Sequence, residues 1–297
     1  AKMTLGLAQA LYERHKVLTY PRTDARALPE DYISTVKDTL GEMKDSQYGL
    51  FASQILKSEW VKPNKRIFNN SKISDHFAII PTSFKPKKLN EAEQKLYDLV
   101  AKRFLAIFYP AAEFLVTTRI TRVENEPFRT EGKVMVNPGW QAVYGKEVRA
   151  NGTDKDSALV AVKQHESVQA EEIEVVANQT RPPARFNEAT LLSAMESAGK
   201  LVEDEELREA MSAKGLGTPA TRASTIEGLV YENYLQRMGR ELHPTAKAFS
   251  LVTLLRGLKI PELTSPELTG NWEFKLRQIE QNKLERSSFM EEIANMT

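Results

Sequence analysis

The apolar residues of this chain change their spacing twice, and that restricts the folds open to it. Over residues 3–15, Met3, Leu7, Ala10 and Leu11 fall on one helical stripe, with Lys2, Gln9 and Glu13 largely off it. From residue 111 the pattern gives way to β-branched runs, FLVTTRITRV, GKVMV, ALVAV and IEVV, divided by the turn residues Pro127, Asn137-Pro138-Gly139 and Asn151-Gly152. From Asn187 the helical spacing returns, with Leu191, Leu192, Met195 and Ala198. Helices, then strands, then helices define an α+β, multi-domain chain: two mainly helical domains joined by a β-strand-rich segment. The boundaries expected are 1–110, 111–180 and 181–297. The middle segment is too small to close a large core of its own, so its strands are expected to complete a sheet begun elsewhere.

Local signals sharpen the elements. Tyr20 precedes a proline, which pushes it out of helical geometry. Pro29-Glu30-Asp31 restarts a helix, with proline and acids in its first turn. Asn90 followed by Glu93 has the form of a capping box; Leu96, Leu99, Val100, Phe104 and Ile107 then line one face until Pro110. Arg181-Pro182-Pro183 reads as a stiff linker. Asn187 is an N-cap for a helix ended by Gly199, and Thr218-Pro219 for a helix carrying Ile226, Leu229 and Val230.

Charge and composition narrow the partners. The 297 residues carry a net charge of +1, but residues 1–110 hold 18 basic and 12 acidic side chains, so the basic excess sits wholly in the first third. There is no cysteine, which excludes disulfides, thiolate catalysis and cysteine-ligated zinc, and fits a reducing, cytoplasmic setting. No apolar run approaches the roughly 18–20 residues of a membrane span. The chain opens at Ala1 inside a helix-like pattern, as a piece of a longer protein would.

Three segments carry chemistry. TYPRTD, residues 19–24, gathers a phenol, a guanidinium, two hydroxyls and a carboxylate, with Pro21 stiffening the turn. A tyrosine hydroxyl, with a reference pKa of about 10, is a poor nucleophile unless a cation stabilises the phenolate. Arg22 stands two residues from Tyr20, on the same face of an extended stretch, and a guanidinium also grips phosphate. A surface turn with an exposed arginine is the plainer account. Residues 57–88 carry eight basic and two acidic residues interleaved with Trp60, Phe68, Phe77 and Phe84. That mixture suits single-stranded nucleic acid, where phosphates need charge and bases can stack; a solvated loop over core aromatics accounts for it equally well. Within it, DHFAIIPT places His76 among apolar residues, where it could be a core histidine or a donor to phosphate. The third segment, KGLGTPATR, is a glycine-rich turn entering a helix, whose free N–H groups attract phosphate. It is not a Walker A loop, because no Gly-Lys-Ser/Thr follows at the required spacing.

In this order the segments resemble type IA DNA topoisomerases. TYPRTD is similar to that family's Thr-Tyr-x-Arg-Thr-Asp motif and HFAIIPT to its His-x-Ala-Ile-x-Pro-Thr motif; the second isoleucine looks more like the bacterial topoisomerase III branch than topoisomerase I. RFNEATLL, KGLGTPATRA and SPELTGNWEFKL resemble the blocks that follow, so the likeness spans roughly residues 1–280. The resemblance implies that Tyr20 attacks a DNA phosphodiester to leave a 5′-phosphotyrosyl link, changing DNA topology without ATP. It implies that Arg22 stabilises phosphate or phenolate, that His76 lies beside the scissile group, and that Lys214, Thr218, Thr221 and Arg222 touch the single strand's backbone. It further implies a monomer acting on single-stranded DNA, with no membrane association, in a bacterial cytoplasm close to the nucleoid. The family's Mg²⁺ is bound by an acidic N-terminal Toprim domain. Only 19 residues precede Tyr20 here, so Mg²⁺ is expected to be held outside this chain, which alone is expected to be inactive. Asp154-Lys155-Asp156 has the letters of an acidic motif but sits in an expected turn.

Two other readings stay open at this point. A tyrosine recombinase also uses a tyrosine nucleophile, but its tyrosine comes late, after an Arg-His-Arg set, and makes a 3′ link. A non-catalytic single-stranded nucleic-acid-binding module needs the basic surface and no tyrosine chemistry.

Overall fold

The computed structural model describes residues 1–73, 75–145, 159–160, 162–201, 205, 208, 215–260 and 263–296. It divides into two compact units: residues 7–181, and residues 182–297 together with residues 1–6. The β-rich stretch thus groups with the tyrosine-bearing helices, and the division falls after Arg181, beside the two prolines of the stiff linker.

Helix α1 (Lys2–Glu13), which falls in the unit of residues 7–181 from Leu7 onward, leads into an extended stretch at residues 17–19. A 3-10 turn, Glu30–Tyr32, then feeds α2 (Ile33–Met43), followed by α3 (Gly49–Lys57) and α4 (Glu91–Ala106). Leu11, Val36, Leu40, Ile55, Phe104 and Leu105 form its fully enclosed centre. The capping box expected at α4 is present in both directions: Glu93 N–H donates to Asn90 Oδ1 (2.9 Å) and Asn90 N–H donates to Glu93 Oε2 (3.0 Å). The buried face of α4 runs through Glu93, Tyr97, Ala101, Phe104 and Leu105, with Leu96, Val100 and Ile107 of the expected stripe packed against the core; Leu99 alone of that stripe departs, at 61% exposed. At about 100° per residue Leu99 lies nearly opposite Tyr97, which faces the core, so it is the one member of the stripe turned to solvent.

After Pro110 the chain forms an antiparallel hairpin, β1 (Glu113–Val123) and β2 (Glu126–Asn137). Its two-residue loop, Glu124 and Asn125, has φ of 49° and 70°, the pair of positive values that a type I′ turn needs. The hairpin is closed at its base by Gly139, at φ 48°, where a Cβ would sit 2.4 Å from the Ala111 carbonyl oxygen. FLVTTRITRV and GKVMV therefore become strands. IEVV does not, nor do the described residues of ALVAV, and Asn151-Gly152 and Asp154-Lys155-Asp156 lie outside the described residues. A β-branched run has strand character only when a neighbour satisfies its ladder, and among the described residues these runs have none.

In the second unit Asn187 caps α5 (Glu188–Glu196), with Thr190 completing the box, and the helix tightens into a 3-10 turn, Ala198–Leu201, instead of running to Gly199. Helix α6 (Arg222–Tyr231) is followed by a short hairpin, β3 (Leu235–Met238) and β4 (Glu241–Pro244). Helices α7 (Ala246–Gly257), α8 (Glu267–Glu280) and α9 (Arg286–Met296) complete it. Arg237 on β3 bridges Glu188 of α5 (2.6 Å) and Glu227 of α6, pinning these elements together. Among the described residues no helix is long and apolar enough to cross a membrane.

Candidate active site

Two stretches more than fifty residues apart form one surface in the unit of residues 7–181. Leu18 and Pro81 are antiparallel partners, flanked by Thr19 N–H donating to the Ile80 carbonyl (3.0 Å) and Thr82 N–H donating to the Val17 carbonyl (3.0 Å). That places Pro81 at a non-hydrogen-bonded position of the pairing, where its missing N–H costs nothing. On the other side Ala78 N–H donates to the Ala27 carbonyl (2.9 Å). Residues 77–82 are thus held between the stretches before and after TYPRTD.

Threonine hydroxyls complete the clamp. Thr19 Oγ1 donates to the Ala78 carbonyl (3.1 Å) and accepts from Ile80 N–H (2.9 Å). Thr23 Oγ1 donates to the carbonyl of His76 (2.9 Å) and accepts from Ala25 N–H (3.0 Å). The sequence shows these hydroxyls but assigns them no task, because their partners are remote in the chain.

Two of the side chains expected to do chemistry, Tyr20 and His76, meet here. Tyr20 is half-buried, and its ring centroid lies 4.2 Å from that of exposed His76, the planes tilted by 40°. A second ring, Tyr12 on α1, meets Tyr20 edge-on at 5.4 Å, with Lys16 Nζ 5.7 Å from the Tyr12 centroid. Nothing local in the sequence singles out Tyr12, since the contact forms only after the chain turns at residues 14–16. Arg22 is half-buried, and its Nε is enclosed without a hydrogen-bond partner among the described residues. A buried guanidinium N–H in that condition costs about 1–3 kcal/mol until an acceptor arrives, and the oxygens of a phosphate or a carboxylate match its geometry.

The basic segment resolves differently from a row of stacking platforms. All eight basic residues of 57–88 are exposed, with Lys65 paired to Glu30 (2.8 Å) and Lys85 to Asp45 (3.3 Å) and Glu42 (3.7 Å). Phe68 is buried, Phe77 packs on Tyr32 (4.9 Å) and Trp60 on Tyr109 (4.8 Å); only Phe84 of the four aromatics, 63% exposed, offers a free face. The apolar rings were needed for the core, and the charges remained on the surface.

The glycine-rich loop lies in the other unit. Gly215 and Gly217 have φ of 69° and 70°, and a Cβ on Gly215 would lie 2.6 Å from the carbonyl oxygens of Met195 and Glu196. Leu216 N–H donates to the Met195 carbonyl (2.7 Å), seating the loop on the end of α5. Thr218 and Thr221 are exposed, their hydroxyls 3.1 Å apart, and Thr221 Oγ1 also accepts from Thr218 N–H (2.9 Å). The Thr218 carbonyl accepts from Thr221 and Arg222 N–H, so a tight turn precedes the regular helix, which begins at Arg222 and not at Pro219. Arg222 itself is 6% exposed, and its Nε donates back to the Leu216 carbonyl (3.2 Å), so it braces the loop from beneath. Lys214 lies outside the described residues.

Among the described residues no three His, Asp or Glu side chains gather in a way that would hold a metal ion.

A family model described as DNA topoisomerase matches residues 1–291. With that match over nearly the whole of its length, the chain belongs to the DNA topoisomerase family, type IA. It is 41% identical to DNA topoisomerase 3 of Bacillus cereus over 305 residues, covering all of this chain, and 41% identical to DNA topoisomerase 3 of Bacillus subtilis over 302 residues. The chain spans about two fifths of the length of these relatives, 41% in both cases. Its fold is similar to that of full-length topoisomerase I from Thermotoga maritima, with a TM-score of 0.65 at 22% identity over 98% of this chain and 44% of that one.

Proposed function

We propose that this chain supplies the tyrosine-bearing side of a site that cleaves and rejoins one DNA strand. Tyr20 Oη attacks a backbone phosphorus of a single strand, the bond from phosphorus to the 3′ oxygen breaks, and the 3′ oxygen leaves as a hydroxyl after taking up a proton. The product is a 5′-phosphotyrosyl link. Resealing is the same exchange in reverse; one phosphodiester replaces another, so no ATP is consumed. The observation that carries this reading is the enclosed Nε of Arg22, without a hydrogen-bond partner among the described residues and two residues from a ring-packed tyrosine, a donor suited to an anionic oxygen. His76, exposed and stacked on the same ring, is the second group able to donate to phosphate or to the leaving oxygen. In the other unit the exposed hydroxyls of Thr218 and Thr221 and the N–H groups at the start of α6 receive a backbone phosphate, with Arg222 fixing the loop and Lys214 adding charge. Mg²⁺ would be held by acidic residues outside these 297, and the enzyme would act as a monomer in the bacterial cytoplasm.

The test is a single-stranded oligonucleotide labelled at either end and incubated with the complete enzyme, then denatured to trap covalent complexes. The label 3′ of the cut should travel with the protein, and Tyr20→Phe should abolish the adduct. An adduct on the other end would point to recombinase-type chemistry. Unchanged activity in Tyr20→Phe would leave only a binding module, for which the exposed basic run of residues 57–88 is sufficient.

A further inference from the structure

We infer that Tyr12 is a positioning residue for Tyr20: its ring forms a wall that restricts the nucleophile's phenol to one approach to phosphorus. The inference rests on the phosphotyrosine reading above and assigns a residue that reading does not use. Displacement at phosphorus requires the entering oxygen in line with the leaving one, and a misplacement of about 1 Å can cost about a hundredfold in rate. The backbone of Tyr20 is already restricted by Pro21, which follows it, and by Thr19, which is bonded to residues 78 and 80. What remains free is rotation of the side chain, and a ring contact limits that.

The wall is well founded. Tyr12 belongs to the last turn of α1, one residue after Leu11, which is completely enclosed in the core, so its Cα cannot drift without disturbing that packing. The two rings meet at 86° with centroids 5.4 Å apart, the edge-to-face arrangement in which one ring's positive rim meets the other's negative face. Lys16, at φ 59°, brings its ammonium within 5.7 Å of the Tyr12 centroid, and its carbonyl accepts the Thr82 hydroxyl (2.6 Å). The turn between α1 and the active segment thus ties the wall to the same stretch of chain that carries His76. Tyr20 has one aromatic neighbour on a helix and one on the exposed loop, and the helical one is the fixed reference.

The experiment compares Tyr12→Leu, Tyr12→Phe and Tyr20→Phe in the complete enzyme, measuring the single-turnover rate of adduct formation, the affinity for the same oligonucleotide, and the ¹⁹F resonance of 3-fluorotyrosine placed at position 20. An edge-to-face pair is worth enough to slow Tyr12→Leu by about three- to tenfold with affinity unchanged, and the resonance should move toward its value in free peptide. Tyr12→Phe keeps the ring and should match the unsubstituted enzyme within about twofold in all three measurements. Should Tyr12→Leu fail to fold, Tyr12→Met, of similar reach and without a ring, takes its place with the same expected values. A wild-type rate and resonance in the ringless variant, or a Tyr12→Phe as slow as Tyr12→Leu, would overturn the inference. Failure of the underlying reading shows separately, as an adduct that survives in Tyr20→Phe.

Discussion

The hydroxyl of Thr19 lies 2.9 Å from the amide nitrogen of Ile80 and 3.1 Å from the carbonyl oxygen of Ala78, accepting from the first and donating to the second. One side chain therefore joins the residue before the tyrosine to the segment that carries His76. Thr19→Val, of the same shape, leaves both backbone groups without that partner and should lower the stability of this unit by about 1–3 kcal/mol in urea unfolding. Thr19→Ser should retain most of it. Because Tyr20 is the next residue, the valine variant should also slow adduct formation beyond its loss of stability.

Arg22 should behave in the opposite way. Its Nε is enclosed without a partner among the described residues, so its removal relieves a cost. Arg22→Ala is expected to unfold within about 0.5 kcal/mol of the unsubstituted protein, or later. Its adduct formation is expected to fall about a hundredfold or more. Arg22→Lys should not restore it, since an ammonium lacks the planar fork that matches phosphate.

The loop before α6 is expected to be limited by its backbone. Gly215→Ala forces a side chain into a left-handed conformation and against two carbonyl oxygens, and should destabilise the second unit by about 1–3 kcal/mol. Arg222→Met, which removes the brace on Leu216, should weaken oligonucleotide binding together with thermal stability. Thr221→Val should weaken binding more than stability. Melting curves and binding isotherms on the same samples separate these outcomes.

Glu93 links stability to pH. Its carboxylate is held below the usual range, first by the Asn90 backbone amide and then by His15, whose Nε2 lies 3.4 Å away. A carboxyl group whose folded pKa is depressed stabilises the fold above its unfolded value, near 4.5, and loses that contribution as pH falls through the lower folded value. The thermal midpoint of the unsubstituted protein should therefore fall toward that of Glu93→Gln as pH drops below about 4.5. Parallel curves would show that the capping glutamate is not the group responsible.

Salt should report the basic surface of residues 57–88. If those side chains contact phosphates, the logarithm of the binding constant falls with the logarithm of salt concentration, with a slope of about −0.7 for each contact. Replacing Lys62, Arg66 and Lys72 with glutamine should make the slope shallower. A slope near zero in the unsubstituted protein would remove this surface from the interface.

The sequence by itself determined the α+β order of elements, the capping of α4 by Asn90 and Glu93, and the identity of Tyr20, Arg22 and His76 as one candidate set. These depend on spacing, caps and short motifs, which are local and survive without knowledge of what packs where. The tertiary structure alone decided the rest. Leu99 turned outward because it lies nearly opposite Tyr97 on α4, and IEVV formed no strand because pairing needs a second chain segment. Phe68 went into the core while its lysine neighbours stayed outside, and Arg222 folded under its own loop. Thr19 acquired its partners only when residues 76–82 were laid beside residues 17–27. Such roles depend on contacts between segments far apart in the chain, and a residue's own neighbours carry no record of them.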